Sequence, residues 1–225
     1  MKSSIKFEYS AHYRTSHIVN RKEKEIFIAL HGYGQLSEFF LRKLHPIFFE
    51  DRLIIVPEAT NYAYHQGFSG RVGANWMTKH ERETAILNNN NYLNALLQSF
   101  LLKYPNKPKI KVMGFSQGAA TATRWVSQLA VPVDTLILWG GGFAHDLDLG
   151  KASENLQGTK CYIALGDQDE FVTEESIQKQ DELIKAMGLD VEKLSYPGGH
   201  DLETQLLAQI LEGQKLDDRY LLKNV

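Results

Sequence analysis

The chain reads as an α/β protein with a mostly parallel central sheet and helices on both faces. Three observations predict this. Short, continuous apolar runs recur along the chain, the pattern of strands buried on both faces. Helical stretches separate them at the spacing of β-α-β units. Four of the predicted strands run into turns bearing His31, Ser116, Asp169 and His200, and open parallel sheets place their ligands beyond such strand ends.

The elements follow in order. Residues 5–9 and 11–19 alternate apolar and polar, which predicts an antiparallel pair at the sheet edge. Residues 26–30 are continuously apolar and end in His31-Gly32-Tyr33-Gly34. A short helix over 36–44 closes before Pro46, and 53–56 is another buried strand. Residues 61–76 carry Tyr62, Tyr64, His65, Phe68 and Trp76 with three glycines, and are read as an irregular loop over the site. Thr78, with Glu81 three residues on, is placed to cap a long helix over 81–103. Its Asn88–Asn91 run is expected to face solvent. Further strands are expected at 110–113, 135–139, 160–165 and 191–196, with helices from Gln117 and over 173–187 and 202–211. No linker, repeat or composition break divides residues 1–225, so one domain is expected, with 1–20 as edge strands and 214–225 as a polar tail of unassigned role.

Composition narrows the function. Apolar residues make up 43% and charged residues 23%, ordinary for a globular chain, and the net charge of −2 gives no pull toward nucleic acid. No apolar run approaches a membrane span, and the first residues lack the apolar core of a signal peptide. The lone cysteine, Cys161, sits in an apolar run, where a buried core thiol is expected, and a single cysteine cannot form an internal disulfide. A cytoplasmic location is expected. His31, His45, His65, His80 and His145 show no metal-binding spacing, and no phosphate-cradling glycine loop is present. No metal or cofactor is expected.

The stretch 109–124 organises the rest. An apolar strand pattern leads into Gly114-Phe115-Ser116-Gln117-Gly118, and an Ala-rich helix follows. By composition alone a G-x-S-x-G arises in about one chain of this size in fifteen. Its meaning comes from the strand before it and the helix after it, the context of a nucleophile elbow. In such a turn strand and helix come so close that Gly114 and Gly118 leave no room for a Cβ. The alternative is an ordinary strand–helix turn with a capping serine.

Serine needs a base to become a nucleophile. Histidine is the side chain whose ordinary pKa lies nearest neutrality, and His200 follows Pro197-Gly198-Gly199 at the end of the last strand. A carboxylate must then orient the imidazole. Asp167, Asp169 and Glu170 all follow one strand, and any of them gives the chain order Ser, acid, His. The developing oxyanion needs backbone donors. The Gln117 N–H, directly after the serine, is one candidate, and the Tyr33 N–H in the loop after residues 26–30 is the other.

Taken together, His31-Gly32-Tyr33-Gly34, Gly114-Phe115-Ser116-Gln117-Gly118-Ala119, Gly166-x-x-Asp169-x-x-Val172 and Gly199-His200 resemble the phospholipase/carboxylesterase family of α/β-hydrolases, which includes the acyl-protein thioesterases. The resemblance covers nearly the whole chain in the right order. It implies an α/β-hydrolase fold and a serine hydrolase that cleaves carboxylic esters or thioesters of small molecules through an acyl-enzyme. It also selects Asp169 as the acid. Gln35 stands where the family usually has an acidic residue, Trp76 is followed by Met77-Thr78 rather than an aromatic and an acid, and Val172 is followed by Thr173 rather than Pro. A lipid or acyl-protein substrate is therefore not carried over. Trp76, Phe143 and Phe171 are candidate walls of an apolar substrate pocket. A hydrolase-like binding module without turnover, and a serine peptidase or acyltransferase on the same scaffold, are the alternatives.

Overall fold

Five strands of largely apolar sequence can be satisfied only where both faces of a sheet are covered. The computed structural model describes residues 2–221 and shows how they are covered. In chain order the elements are β1 (Tyr13–Thr15), β2 (Glu25–Leu30), α1 (Ser37–Lys43), β3 (Arg52–Pro57), β4 (Asn61–Gln66), β5 (Ser69–Asn75) and α2 (Arg82–Leu101). They continue with β6 (Lys109–Phe115), α3 (Gln117–Val126), β7 (Thr135–Trp139), α4 (Leu149–Leu156), β8 (Lys160–Gly166), α5 (Glu174–Met187), β9 (Val191–Tyr196) and α6 (Thr204–Glu212). Seven strands form one sheet in the order β1-β3-β2-β6-β7-β8-β9. Every neighbouring pair is parallel except β1 with β3.

Side chains of one strand alternate between two cores. Ile26, Ile28 and Leu30 of β2 pack with α2, α3, α4 and α5, through residues such as Leu93, Leu97, Trp125 and Leu156. Phe27 and Ala29 pack on the other face with α1 and α6, through Phe40, Leu206, Leu207 and Ile210. Cys161 lies in the first core as expected, and burial pushes its thiol up to about 12. The helix over 174–187 starts from a capping box between Thr173 and Ser176 and stops at Gly188, whose φ is 62°.

Several expectations are corrected. Residues 5–9 pair with no strand, and Ile5 and Phe7 are 86% and 77% exposed. Alternation specifies a face, but pairing also needs an edge, and the β3 edge is taken by β1. Residues 61–76 are not an irregular loop. β4 and β5 form a two-stranded antiparallel hairpin closed by Gly67-Phe68. Gly67 has φ 58° and takes the first central position, as in hairpin turns with Gly leading. Thr78 does not cap α2. The residue before the helix is Glu81, at φ 50° and without a side-chain cap bond, while Thr78 Oγ1 accepts from the His80 N–H. The Asn88–Asn91 run faces solvent only at its ends, since Asn88 and Asn91 are exposed while Asn89 and Asn90 are buried. α4, with Asp148 capping its start, was not expected from the pattern. The C-terminal tail carries an anchor. Tyr220 is buried in the second core and Leu221 bridges to Leu194, while residues 222–225 lie outside the described chain.

The sheet and α3 meet at the G-x-S-x-G. A Cβ on Gly114 would overlap the Gly118 carbonyl and the Ala119 backbone. Backbone on both sides leaves nothing flexible to yield. Gly114→Ala is expected to cost about 3 kcal/mol or more, measured by urea denaturation. An unchanged midpoint would contradict this packing.

Candidate active site

Ser116 sits between the last residue of β6 and the first of α3, at φ 54° and ψ −119°. A non-glycine residue there costs about 1–3 kcal/mol and persists only where its surroundings enforce it. Enforcement comes from the glycine contacts and from the Ser116 N–H, which donates to the Trp139 carbonyl at 2.8 Å. The Ser116 side chain makes no cap bond to α3. The capping-serine alternative therefore does not describe this turn.

Two strands away, β8 ends in Gly166 and the chain turns through Asp169, which is 6% exposed. Its Oδ2 lies 2.7 Å from His200 Nδ1, and its Oδ1 accepts from the Phe171 N–H at 3.0 Å. A carboxylate oxygen accepts, so Nδ1 carries the proton and Nε2 is left with its lone pair. The other acids are engaged elsewhere. Asp167 Oδ1 accepts from the Gly198 N–H at 2.9 Å, Asp201 pairs with Lys43 at 2.6 Å, and Glu170 is exposed.

The imidazole of His200 lies beside the elbow. Its ring centre is 5.0 Å from that of Phe115, the residue before Ser116. A Cβ on Gly140 would meet its Cε1 at 3.0 Å, and one on Gly141 would meet the Ser116 carbonyl at 3.0 Å. The turn that carries His200 is held from beneath. Tyr196 Oη donates to the Asp201 carbonyl at 2.7 Å, and Trp139 Nε1 donates to the same carbonyl at 2.9 Å and to Tyr196 Oη at 3.0 Å. Burial pushes the Tyr196 phenol up to about 12, so it stays a donor across the working pH range.

The loop after β2 also reaches the elbow, since a Cβ on Gly32 would meet the Phe115 ring at 2.8 Å. His31 is fully buried, with Nδ1 2.7 Å from the Gly32 carbonyl and Nε2 accepting from the Ala59 N–H at 3.1 Å. Both partners fit only the Nδ1–H tautomer of a neutral ring. Burial lowers its pKa, against the smaller opposing pull of the Gly32 carbonyl and Glu58. Gln35 Oε1 accepts from the Gly32 N–H at 2.9 Å, so the residue that departs from the family pattern braces the loop internally. Among the described residues, no acceptor takes the Tyr33 N–H or the Gln117 N–H. The second lies at a helix N-terminus, where such groups are left over by geometry.

Of the three candidate wall residues, only Phe171 has an exposed ring. It is 66% exposed and stands edge-on to His200, with ring centres 4.8 Å apart. Trp76 is 0% exposed and Phe143 is 3% exposed, so neither ring lines an open surface. Trp76 packs on the His31 ring at 5.1 Å, and Phe143 lies in the core, its backbone N–H and C=O held by the Gln180 amide. Aromatic content alone carries no information about which face a ring presents, and this misplaced both. The supporting roles of Tyr196, Gln117 and Gln180 have no sequence signature, because side chain-to-backbone bonds across elements leave no periodic trace.

The model of the phospholipase/carboxylesterase family matches residues 15–213. The chain belongs to this family. No curated protein matches it closely enough to count as a relative. Among solved structures, this family member resembles acyl-protein thioesterase 2 of Zea mays, with TM-score 0.69 and 17% identity over 91% of this chain and 97% of that one. It also resembles a phospholipase/carboxylesterase from Dyadobacter fermentans, with TM-score 0.69 and 20% identity over 92% and 99%. A carboxylesterase from Mesorhizobium loti gives TM-score 0.69 and 18% identity over 90% and 95%. At such identities the likeness speaks for the fold, an α/β-hydrolase. Membership of the family makes the chain a hydrolase of the phospholipase/carboxylesterase type. No helix among the described residues is long and apolar enough to cross a membrane.

The buried neutral His31 gives a signed pH effect. Below about pH 6.5, the unfolded chain binds a proton on His31 that the folded chain does not. Stability present above that pH is lost as pH falls, by up to about 1.4 kcal/mol per unit. Urea denaturation at pH 7 and pH 5 should show a larger loss for wild type than for His31→Asn. Equal losses would contradict a neutral buried ring.

Proposed function

We propose that this family member is a serine hydrolase that cleaves carboxylic esters or thioesters of small molecules through an acyl-enzyme. Ser116 is the nucleophile, His200 the general base and acid, and Asp169 the acid that orients it. The observation that carries the proposal is the 2.7 Å bond from His200 to buried Asp169, with the imidazole tilted against Phe115, the residue before the strained Ser116. The lone buried thiol of Cys161 agrees with a reducing, cytoplasmic setting.

In the first half-reaction Ser116 Oγ attacks the acyl carbon while its proton passes to His200 Nε2. The carbonyl oxygen becomes an oxyanion, for which the Tyr33 and Gln117 N–H groups are the donors. Collapse breaks the bond to the leaving alkoxide or thiolate, which takes the proton from Nε2. Water then repeats the attack on the acyl-enzyme, giving its proton to Nε2. Release of the carboxylic acid returns that proton to Ser116. Asp169 stabilises the imidazolium in both halves without taking its proton. Phe171, exposed beside His200, is the assigned apolar contact for substrate.

The test is p-nitrophenol release from acetate, butyrate and octanoate esters. Ser116→Ala is expected to lower kcat by about ten-thousandfold or more. Asp169→Asn, which removes the charge beside the imidazole, should cost about ten-thousandfold. A Ser116→Ala rate within tenfold of wild type would overturn the assignment. Phe171→Ala should raise KM about threefold to tenfold with kcat nearly kept, because it removes an apolar contact outside the bond-breaking centre. A fall in kcat alone would give Phe171 a different role.

A further inference from the structure

The two oxyanion donors lie on different elements, Tyr33 in the loop after β2 and Gln117 at the start of α3. β2 and β6 are neighbours whose register ends at Leu30 opposite Gly114. Beyond that point no sheet bond fixes the loop against the elbow, and one residue spans the gap. Trp76 Nε1 donates to the His31 carbonyl at 2.8 Å, and the Trp76 N–H donates to Gln117 Oε1 at 2.9 Å. Gln117 Nε2 completes the clamp by donating to the Met77 carbonyl at 2.8 Å. Asn89 Nδ2 and Asn61 Nδ2 donate to the Trp76 carbonyl at 2.7 and 3.3 Å, so every polar atom of Trp76 is engaged.

The loop is hung on the same segment a second time. The Gly34 N–H donates to the Ala74 carbonyl at 2.8 Å, and the Ala74 N–H donates to the Gln35 carbonyl at 3.2 Å. From the elbow side, a Cβ on Gly118 would meet the His31 carbonyl at 2.7 Å. That carbonyl is thus gripped between α3 and the indole. A tryptophan that merely filled the core could satisfy its Nε1–H on any carbonyl. This one uses the carbonyl two residues before Tyr33, and its backbone holds the side chain of the very residue that carries the other donor.

We propose that Trp76 and the side-chain amide of Gln117 are positioning residues that fix the spacing of the Tyr33 and Gln117 N–H groups. The proposal rests on the serine hydrolase function proposed above. Neither side chain touches the reacting atoms. They act by keeping two donors at one separation, and donors help only where they match the position of the developing charge. Misplacement by about an ångström can cost about a hundredfold in rate.

The experiment compares wild type, Trp76→Phe, Gln117→Ala and Ser116→Ala on p-nitrophenyl butyrate, with a trifluoromethyl ketone as a probe that forms an oxyanion on the serine. Trp76→Phe keeps a large ring but removes the Nε1–H, and Gln117→Ala keeps the donor N–H but removes the clamp. Each is expected to lower kcat by about tenfold or more with KM within about threefold. The ketone should bind more weakly in the same proportion, because it reports the transition-state arrangement. A structural role alone would lower the melting temperature and leave turnover per folded molecule unchanged. Turnover within twofold of wild type in the folded variants, or unchanged ketone affinity beside a reduced kcat, would overturn the proposal. If Trp76→Phe does not fold, Gln117→Ala decides. Retained activity in Ser116→Ala would instead sink the proposed function, so the two failures are told apart.

Discussion

The backbone of Gly118 lies against the carbonyls of Leu30 and His31, and the backbone of Gly114 lies against Gly118 itself. This three-way contact between β2, β6 and α3 is the constraint on which the rest depends. With no Cβ at either glycine, the helix starts directly over the strand ends. The chain can then reverse only by holding Ser116 at φ 54°. The strain is local, while the packing that sustains it spans both cores through Leu30, Phe115 and Ala119. Among the described residues, the Gln117 N–H that follows this contact has no acceptor.

Around that turn, polar bonds from the core to the loops take over where sheet bonds end. On one side Trp139 and Tyr196 share the Asp201 carbonyl and support the turn of His200. On the other, Gln117 clamps Trp76 and Met77, and a second amide, Gln180, clamps Phe143 by its N–H and C=O. Farther out, Asp146 ties the loop after β7 to Arg124 of α3 and Arg82 of α2. Burial would raise its pKa, but these guanidinium bonds outweigh it and hold the carboxyl at about 2. Loops at the sheet's carboxyl end are thereby fixed by side chains drawn from elements remote in sequence. Rigid placement of this kind is what a site made of groups from several loops requires.

Much of this was legible in the sequence, and the reasons are specific. Strands β2, β3, β6, β7 and β8 are apolar runs because both their faces are buried, so pattern and structure coincide. The elbow was legible because only glycine fits its two contacts. The choice among Asp167, Asp169 and Glu170 was not legible from order alone. It depended on which carboxyl faces the imidazole, and family resemblance selected the one that the structure brings to His200. The hairpin of β4 and β5 was hidden because glycines at 67, 70 and 73 mimic an irregular loop, although only Gly67 makes the reversal. Trp76 and Phe143 were misread because aromatic content does not reveal orientation. In the run of asparagines, polarity correctly indicates solvent at Asn88 and Asn91 but not at the buried Asn89, whose amide donates to the Trp76 carbonyl.

The central claim is that the strained serine beside the His200–Asp169 pair is a nucleophile. Intact-protein mass spectrometry after incubation with an alkyl fluorophosphonate, followed by peptide mapping, tests it most directly. One covalent adduct per chain, located on Ser116, is the predicted result. No adduct, or an adduct on another residue with Ser116 unmodified, would contradict it.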